Sequence, residues 1–122
     1  MPRKILIVDD EPEIVFLIKR RLIKGGYDVI FAHDGVTALA LAKKEKPDLM
    51  ILDIMIPSPT GLEICRTLKN DPQYQSIKVV LLTARDRQED KEAGHQAGAD
   101  MYVTKPFEPE ELIKSVKVLL GE

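Results

Sequence analysis

The 122-residue chain has one cysteine, Cys65, and only two histidines, His33 and His95, which lack the spacing of a ligand pair. No internal disulfide can form, and no zinc site has the ligands it needs. Cys65 is therefore expected to pack in a helix, and both histidines to be surface or loop residues. There is no long apolar run either. No stretch approaches the length of a membrane span, and Met1-Pro2-Arg3-Lys4 leads straight into a strand pattern rather than a signal peptide, so a reducing, cytoplasmic location is expected. Net charge is scarce as well: eighteen basic against twenty acidic residues leave −2. No global field favours nucleic acid, and any DNA activity would need another domain. With no linker, repeat or low-complexity tract, the length suits one domain over residues 1–122, built around a single core.

What the chain does have is a set of short apolar runs that each stop on a polar residue. Leu49 to Leu52 suits a strand buried on both faces and ends on Asp53, after which Ile54-Met55-Ile56 leads into the loop Pro57-Ser58-Pro59. Ile5 to Val8 ends on Asp9-Asp10-Glu11, Ile77 to Leu82 on Thr83, and Met101 to Thr104 on Lys105; Tyr27 to Ala32 reads as one more strand. Helical patterns lie between. Pro12 to Lys24 opens on a proline and stops at Gly25-Gly26, Asp34 can cap a helix that Pro47 halts, and Thr60-Gly61-Leu62-Glu63 is a capping-box pattern that starts a helix to about Asn70. The helix from Arg87 to Gln96 offers only Ala93 as an apolar side chain and includes Gly94, so it should be weakly anchored. Glu108-Pro109 opens a last helix carrying Leu112, Ile113, Val116, Leu119 and Leu120.

Strands alternating with helices imply right-handed crossovers and a doubly wound α/β fold: a five-stranded parallel sheet with five helices, flavodoxin-like, in the order 2-1-3-4-5. In that order strands one and three are neighbours at the switch point, so Asp9, Asp10 and Asp53 converge on one crevice, joined by Thr83 and Lys105. Crowded carboxylates relieve their repulsion by protonating one acid or by holding a hard cation, and magnesium fits better than zinc. An ammonium and a hydroxyl beside magnesium make a pocket for a dianion such as phosphoryl, which places Asp53 as the nucleophile.

Asp9-Asp10-Glu11, Asp53 with Ile54-Met55-Ile56-Pro57, Gly61-Leu62-Glu63, Thr83-Ala84, Gly98-Ala99-Asp100 and Lys105-Pro106-Phe107 together resemble the receiver domain of two-component response regulators, over essentially the whole chain. That family has the strand order given above, so the order is not an independent inference. The resemblance implies that Asp53 accepts phosphoryl from a phosphohistidine on a sensor histidine kinase or a phosphotransfer protein. It implies that Asp10, Asp53 and the Met55 carbonyl bind Mg2+ directly and Asp9 through water. Lys105 and Thr83 would hold phosphoryl oxygens, Tyr102 would be the switch aromatic that turns inward on phosphorylation, and the Lys105-Pro106 peptide would be cis. Output would leave through helix four, strand five and helix five, to an output domain or effector, with no membrane and no nucleic acid bound by this domain itself. The chain would be a phosphoacceptor that assists its own phosphorylation and dephosphorylation rather than an enzyme. Thr60 and Pro59 depart from the family pattern, which usually has aspartate and then methionine or leucine at those places; the proline should stiffen the loop after Asp53.

The first helix has more apolar residues than one buried stripe can use. Val15, Ile18 and Leu22 share the stripe, Ile14 and Leu17 with Arg21 form a flank beside the Asp53 crevice suited to the kinase, and Phe16 and Ile23 fall on the far side, where they should be exposed. Two other classes of function remain open at this point. A magnesium-dependent aspartyl-phosphate phosphohydrolase would need a second acid two residues after the nucleophile, where Met55 stands. A receiver-like binding module would lack one or more of the acids, the threonine or the lysine, and none is lacking. Flavin binding is poorly supported, because acids follow strand one where a flavin phosphate would want hydroxyls and glycines.

Overall fold

Ile5, Leu6, Ile7 and Val8 are all fully buried, which a strand achieves only when both of its faces are covered. The computed structural model describes residues 2–84 and 88–122, apart from the side chain of Asp90. Its strands are β1 (Lys4–Val8), β2 (Asp28–Ala32), β3 (Leu49–Asp53), β4 (Lys78–Ala84) and β5 (Met101–Lys105). They alternate with α1 (Pro12–Lys24), α2 (Gly35–Glu45), α3 (Gly61–Lys69), α4 (Gln88–Ala97) and α5 (Pro109–Leu119). All strand pairs are parallel, in the order β2-β1-β3-β4-β5. The sheet is the one expected from the sequence. The Arg87 start expected for the fourth helix lies outside the described residues.

The interior is two clusters rather than the single core expected, because a sheet buried on both sides sorts alternate residues of each strand to opposite faces. Val15, Ile18 and Leu22 of α1 and Leu112 and Val116 of α5 cover Ile5, Ile7 and Ile51. On the other side Ala38 and Ala42 of α2, Ile64, Cys65 and Leu68 of α3 and Ala97 of α4 cover Leu6, Val8 and Met50. The small side chains of α2 keep it close to the sheet. Cys65 packs as expected: its thiol donates to the Ala97 carbonyl at 3.6 Å, and burial pushes it up to about 11, so it stays protonated and inert.

Local chemistry fixes where the helices begin. In α3 the capping box is complete: the Glu63 amide donates to Thr60 Oγ1 at 3.2 Å and the Thr60 amide to Glu63 Oε1 at 2.8 Å. Proline stands at the start of α1 and α5, where an absent amide hydrogen costs no helical bond. In α4 the one apolar side chain expected between Arg87 and Gln96, Ala93, is only half-buried. Among the described residues of α4, Gly94 and Ala97 are the buried ones, and the missing side chain at Gly94 lets Leu81 and Tyr102 close onto the helix.

Candidate functional site

The register puts Val8 beside Leu52, Asp53 beside Leu82 and Thr83 beside Thr104, so the polar ends of the strands come out at one edge. Asp9 and Asp53 are buried there and Asp10 is exposed. One carboxylate oxygen from each lies within 4.8 Å of the other two.

The two buried acids are held in the same way. Asp9 Oδ1 accepts from the Glu11 amide at 2.9 Å, and Asp53 Oδ1 accepts from the Met55 amide at 3.0 Å. Each thus spends one oxygen on the amide two residues along, a turn that aims the second oxygen inward. Both second oxygens meet Lys105, whose Nζ is 2.8 Å from Asp9 Oδ2 and 3.3 Å from Asp53 Oδ2, with Glu11 at 3.7 Å. Burial works to lower the Lys105 ammonium, but Asp9 and Asp53 outweigh it and hold the group above the ordinary lysine value. The Thr83 hydroxyl is buried at the same edge with no hydrogen-bond partner among the described residues. An orphaned hydroxyl on the same sheet edge as an ammonium is an arrangement suited to an incoming anion.

The donor set fits a hard cation. Octahedral magnesium binds oxygens at about 2.1 Å, which separates neighbouring ligands by roughly 3 Å and opposite ones by about 4 Å. Three carboxylate oxygens inside a 4.8 Å span need only a small adjustment to meet that geometry. No thiol or imidazole is among these donors, which disfavours zinc.

The acids open into a cleft of about 670 Å³ whose walls include Ile14, Leu17, Met55 and Phe107. Ile14 is half-buried against the α1/α5 cluster, and Leu17 is 37% exposed on the rim. Arg21 does not join them. It pairs with Glu110 of α5 and lines the groove between α1 and α5 instead. Phe16 and Ile23 are exposed, at 61% and 53%, as their helical angle requires.

Tyr102 also differs from expectation. Its hydroxyl is already buried, without a partner among the described residues, although the sequence reading has the ring turning inward only on phosphorylation. The cause is Gly94, which leaves room for the ring. The Lys105-Pro106 peptide is cis as expected, and Ser58-Pro59 is cis too. Sequence reasoning missed His33, whose Nδ1 is 3.0 Å from the Asp9 carbonyl, a contact that needs the Nδ1–H tautomer because a carbonyl can only accept. Its place at the end of β2, next to β1 in the sheet, was the available signal.

The sequence profile of the response regulator receiver domain matches residues 5–117. The chain belongs to the response-regulator receiver family. It is thus a signalling domain of two-component systems. The Bacillus subtilis (strain 168) alkaline phosphatase synthesis transcriptional regulatory protein PhoP is 48% identical over 120 residues, 98% of this chain and 49% of that protein. The receiver chain therefore spans about half the length of this curated relative. The chemotaxis response regulator CheY4 of Vibrio cholerae has the same fold, with a TM-score of 0.91 and 34% identity over 98% of this chain and 99% of that one. The receiver domain of the sensor histidine kinase PA1611 from Pseudomonas aeruginosa PAO1, with a TM-score of 0.89 and 29% identity over the whole of both chains, carries magnesium in its active-site cleft.

Proposed function

We propose that Asp53 is the phosphoacceptor of this receiver and takes its phosphoryl group from a phosphohistidine on a sensor histidine kinase or a phosphotransfer protein. The observation that carries the reading is the shared lysine: Lys105 stands 3.3 Å from Asp53 Oδ2 and 2.8 Å from Asp9 Oδ2. A cation held there can follow charge from the carboxylate to the phosphoryl oxygens as the bond forms. In the transfer an Asp53 oxygen forms the new bond to phosphorus, the phosphorus–nitrogen bond breaks, and the imidazole leaves with its electron pair and takes up a proton.

Asp10, Asp53 and the Met55 carbonyl would hold Mg2+ directly, with Asp9 acting through water. When bound, the ion neutralises the developing charge on the phosphoryl oxygens. The Met55 amide, bonded to Asp53 Oδ1, keeps the nucleophile oriented. The Thr83 hydroxyl would donate to a phosphoryl oxygen, which would give that buried group its missing partner. Return of phosphoryl to water would use the same residues, so the domain assists both its phosphorylation and its dephosphorylation.

Ile14 and Leu17 form an apolar rim where a kinase can dock, with Arg21 farther along the same helix. Switching would pass through Thr83 and Tyr102 to α4, β5 and α5, and from there to an output domain or effector. Residues 1–122 would act as one receiver unit in the cytoplasm, where the lone Cys65 stays reduced. No helix among the described residues is long and apolar enough to cross a membrane. The test is chemical. With Mg2+ and a small phosphodonor, one alkali-labile phosphoryl per chain is expected, and Asp53→Asn should abolish it; the same acyl-phosphate label persisting in that variant would sink the assignment.

A further inference from the structure

Gly35, the first residue of α2, is buried and has an ordinary backbone angle, so its need for glycine is one of space rather than conformation. A Cβ there would lie 1.9 Å from the Pro59 carbonyl oxygen, 2.9 Å from its carbon and 3.0 Å from Pro59 Cγ. The loop between β3 and α3, residues 54–60, therefore rests directly on the start of α2. That loop leaves Asp53, buries Ile54 and Ile56 in the α2–α4 cluster, and carries Met55. Its far end is pinned by the Thr60 capping box and by Gly61, where a Cβ would lie 2.3 Å from the Asp53 carbonyl oxygen.

The same short segment also touches the other buried acid, because His33 bonds the Asp9 carbonyl at 3.0 Å. Residues 33–35 are thus in contact with the backbone at Asp9 and with the loop that follows Asp53. We propose that Gly35 is a positioning residue: its close contact with Pro59 holds the β3–α3 loop, and through it the Met55 carbonyl and Asp53, at the spacing from Asp9 that metal binding and phosphoryl transfer require. This rests on the phosphoacceptor reading given above. A side chain at position 35 would move a backbone carbonyl by on the order of 1 Å, since a carbonyl oxygen cannot yield as a flexible side chain can. Displacements of that size cost reactions as much as about a hundredfold.

The experiment measures Mg2+ affinity by amide NMR titration without any phosphodonor, followed by the labelling rate with a small phosphodonor at saturating Mg2+. Gly35→Ala should weaken Mg2+ on the order of ten- to a hundredfold, as loss of an outer-shell support does, and shift the Met55 amide before any metal is added. Pro59→Gly, which keeps the carbonyl facing Gly35 but removes the proline ring packed there and lets the loop backbone move, should weaken Mg2+ several-fold and serves alone if alanine at position 35 prevents folding. Ile18→Val, in the opposite cluster, is the control for stability alone and should keep wild-type affinity. Wild-type Mg2+ affinity in Gly35→Ala or, should that variant not fold, in Pro59→Gly overturns the proposal, whatever the melting temperature does. Absence of Mg2+ binding or labelling in the wild-type chain would instead overturn the phosphoacceptor reading.

Discussion

The ring of Tyr102 fills the space that a side chain at Gly94 would need: a Cβ on that glycine would stand 2.7 Å from Tyr102 Cε1 and 2.7 Å from Leu81 Cδ1. Glycine inside a helix costs about 1 kcal/mol relative to alanine, so Gly94→Ala gains helix propensity while losing this contact. Both obstructing atoms belong to side chains, and β5 is an edge strand, so the ring is free to swing out. Net stability should then change by no more than about 1 kcal/mol. The Tyr102 phenol, held above its ordinary value by burial and then by the nearby Cys65, should titrate closer to normal. A folded variant with an unchanged phenol titration would show that the ring stays inside.

Lys105→Ala separates two roles of one charge. Removing the ammonium leaves Asp9 and Asp53 without their shared cation, so Mg2+ should bind several-fold tighter by calorimetry. Labelling by a small phosphodonor should nevertheless slow on the order of a hundredfold, because the transferring group loses its preorganised positive partner. Weaker Mg2+ binding in a folded Lys105→Ala variant would contradict this account of the site.

The Tyr27 hydroxyl donates to Glu122 at 2.5 Å, and burial, followed by that partner, pushes the phenol from 10.0 up to about 12. The unfolded chain ionises this phenol near 10.0 and the folded chain only near 12, so its stabilising contribution is complete below pH 10 and is lost as pH rises to about 12. Denaturant titrations of wild type and Tyr27→Phe should converge across that window. Parallel curves would remove Tyr27 from the alkaline limb.

Leu17 lines the acidic cleft and Arg21 does not, so the two should differ in recognition. Leu17→Ala is expected to slow transfer from the cognate kinase while small-donor labelling stays intact. Arg21→Ala, which breaks a pair with Glu110, should have the smaller effect on transfer. Equal loss with both phosphodonors would point to damage at the site itself.

The strand ends were legible because each apolar run stops on a polar residue, and a parallel sheet must bring such ends to one edge. That logic placed Asp9, Asp53, Thr83 and Lys105 without any knowledge of distance. Arg21 was misplaced because its partner, Glu110, lies 89 residues away and only the docking of α5 on α1 brings it near. Gly94 reads as a weakness and Gly35 carries no signal of its own after the Asp34 cap, since nothing local reveals that Tyr102 and Pro59 press against them. Periodicity reports which side of an element is buried, not what arrives there from elsewhere in the chain.

The division of the interior by the sheet has a consequence for redesign. Ile5 and Ile7 serve the cluster under α1 and α5, while Leu6 and Val8 serve the cluster under α2, α3 and α4. Residues on the outer surface of α1 can therefore be exchanged for those of another receiver without repacking the far side of the sheet, where Tyr102 meets Gly94. The two clusters can be redesigned one at a time, with the strand-end acids as the fixed joint between them.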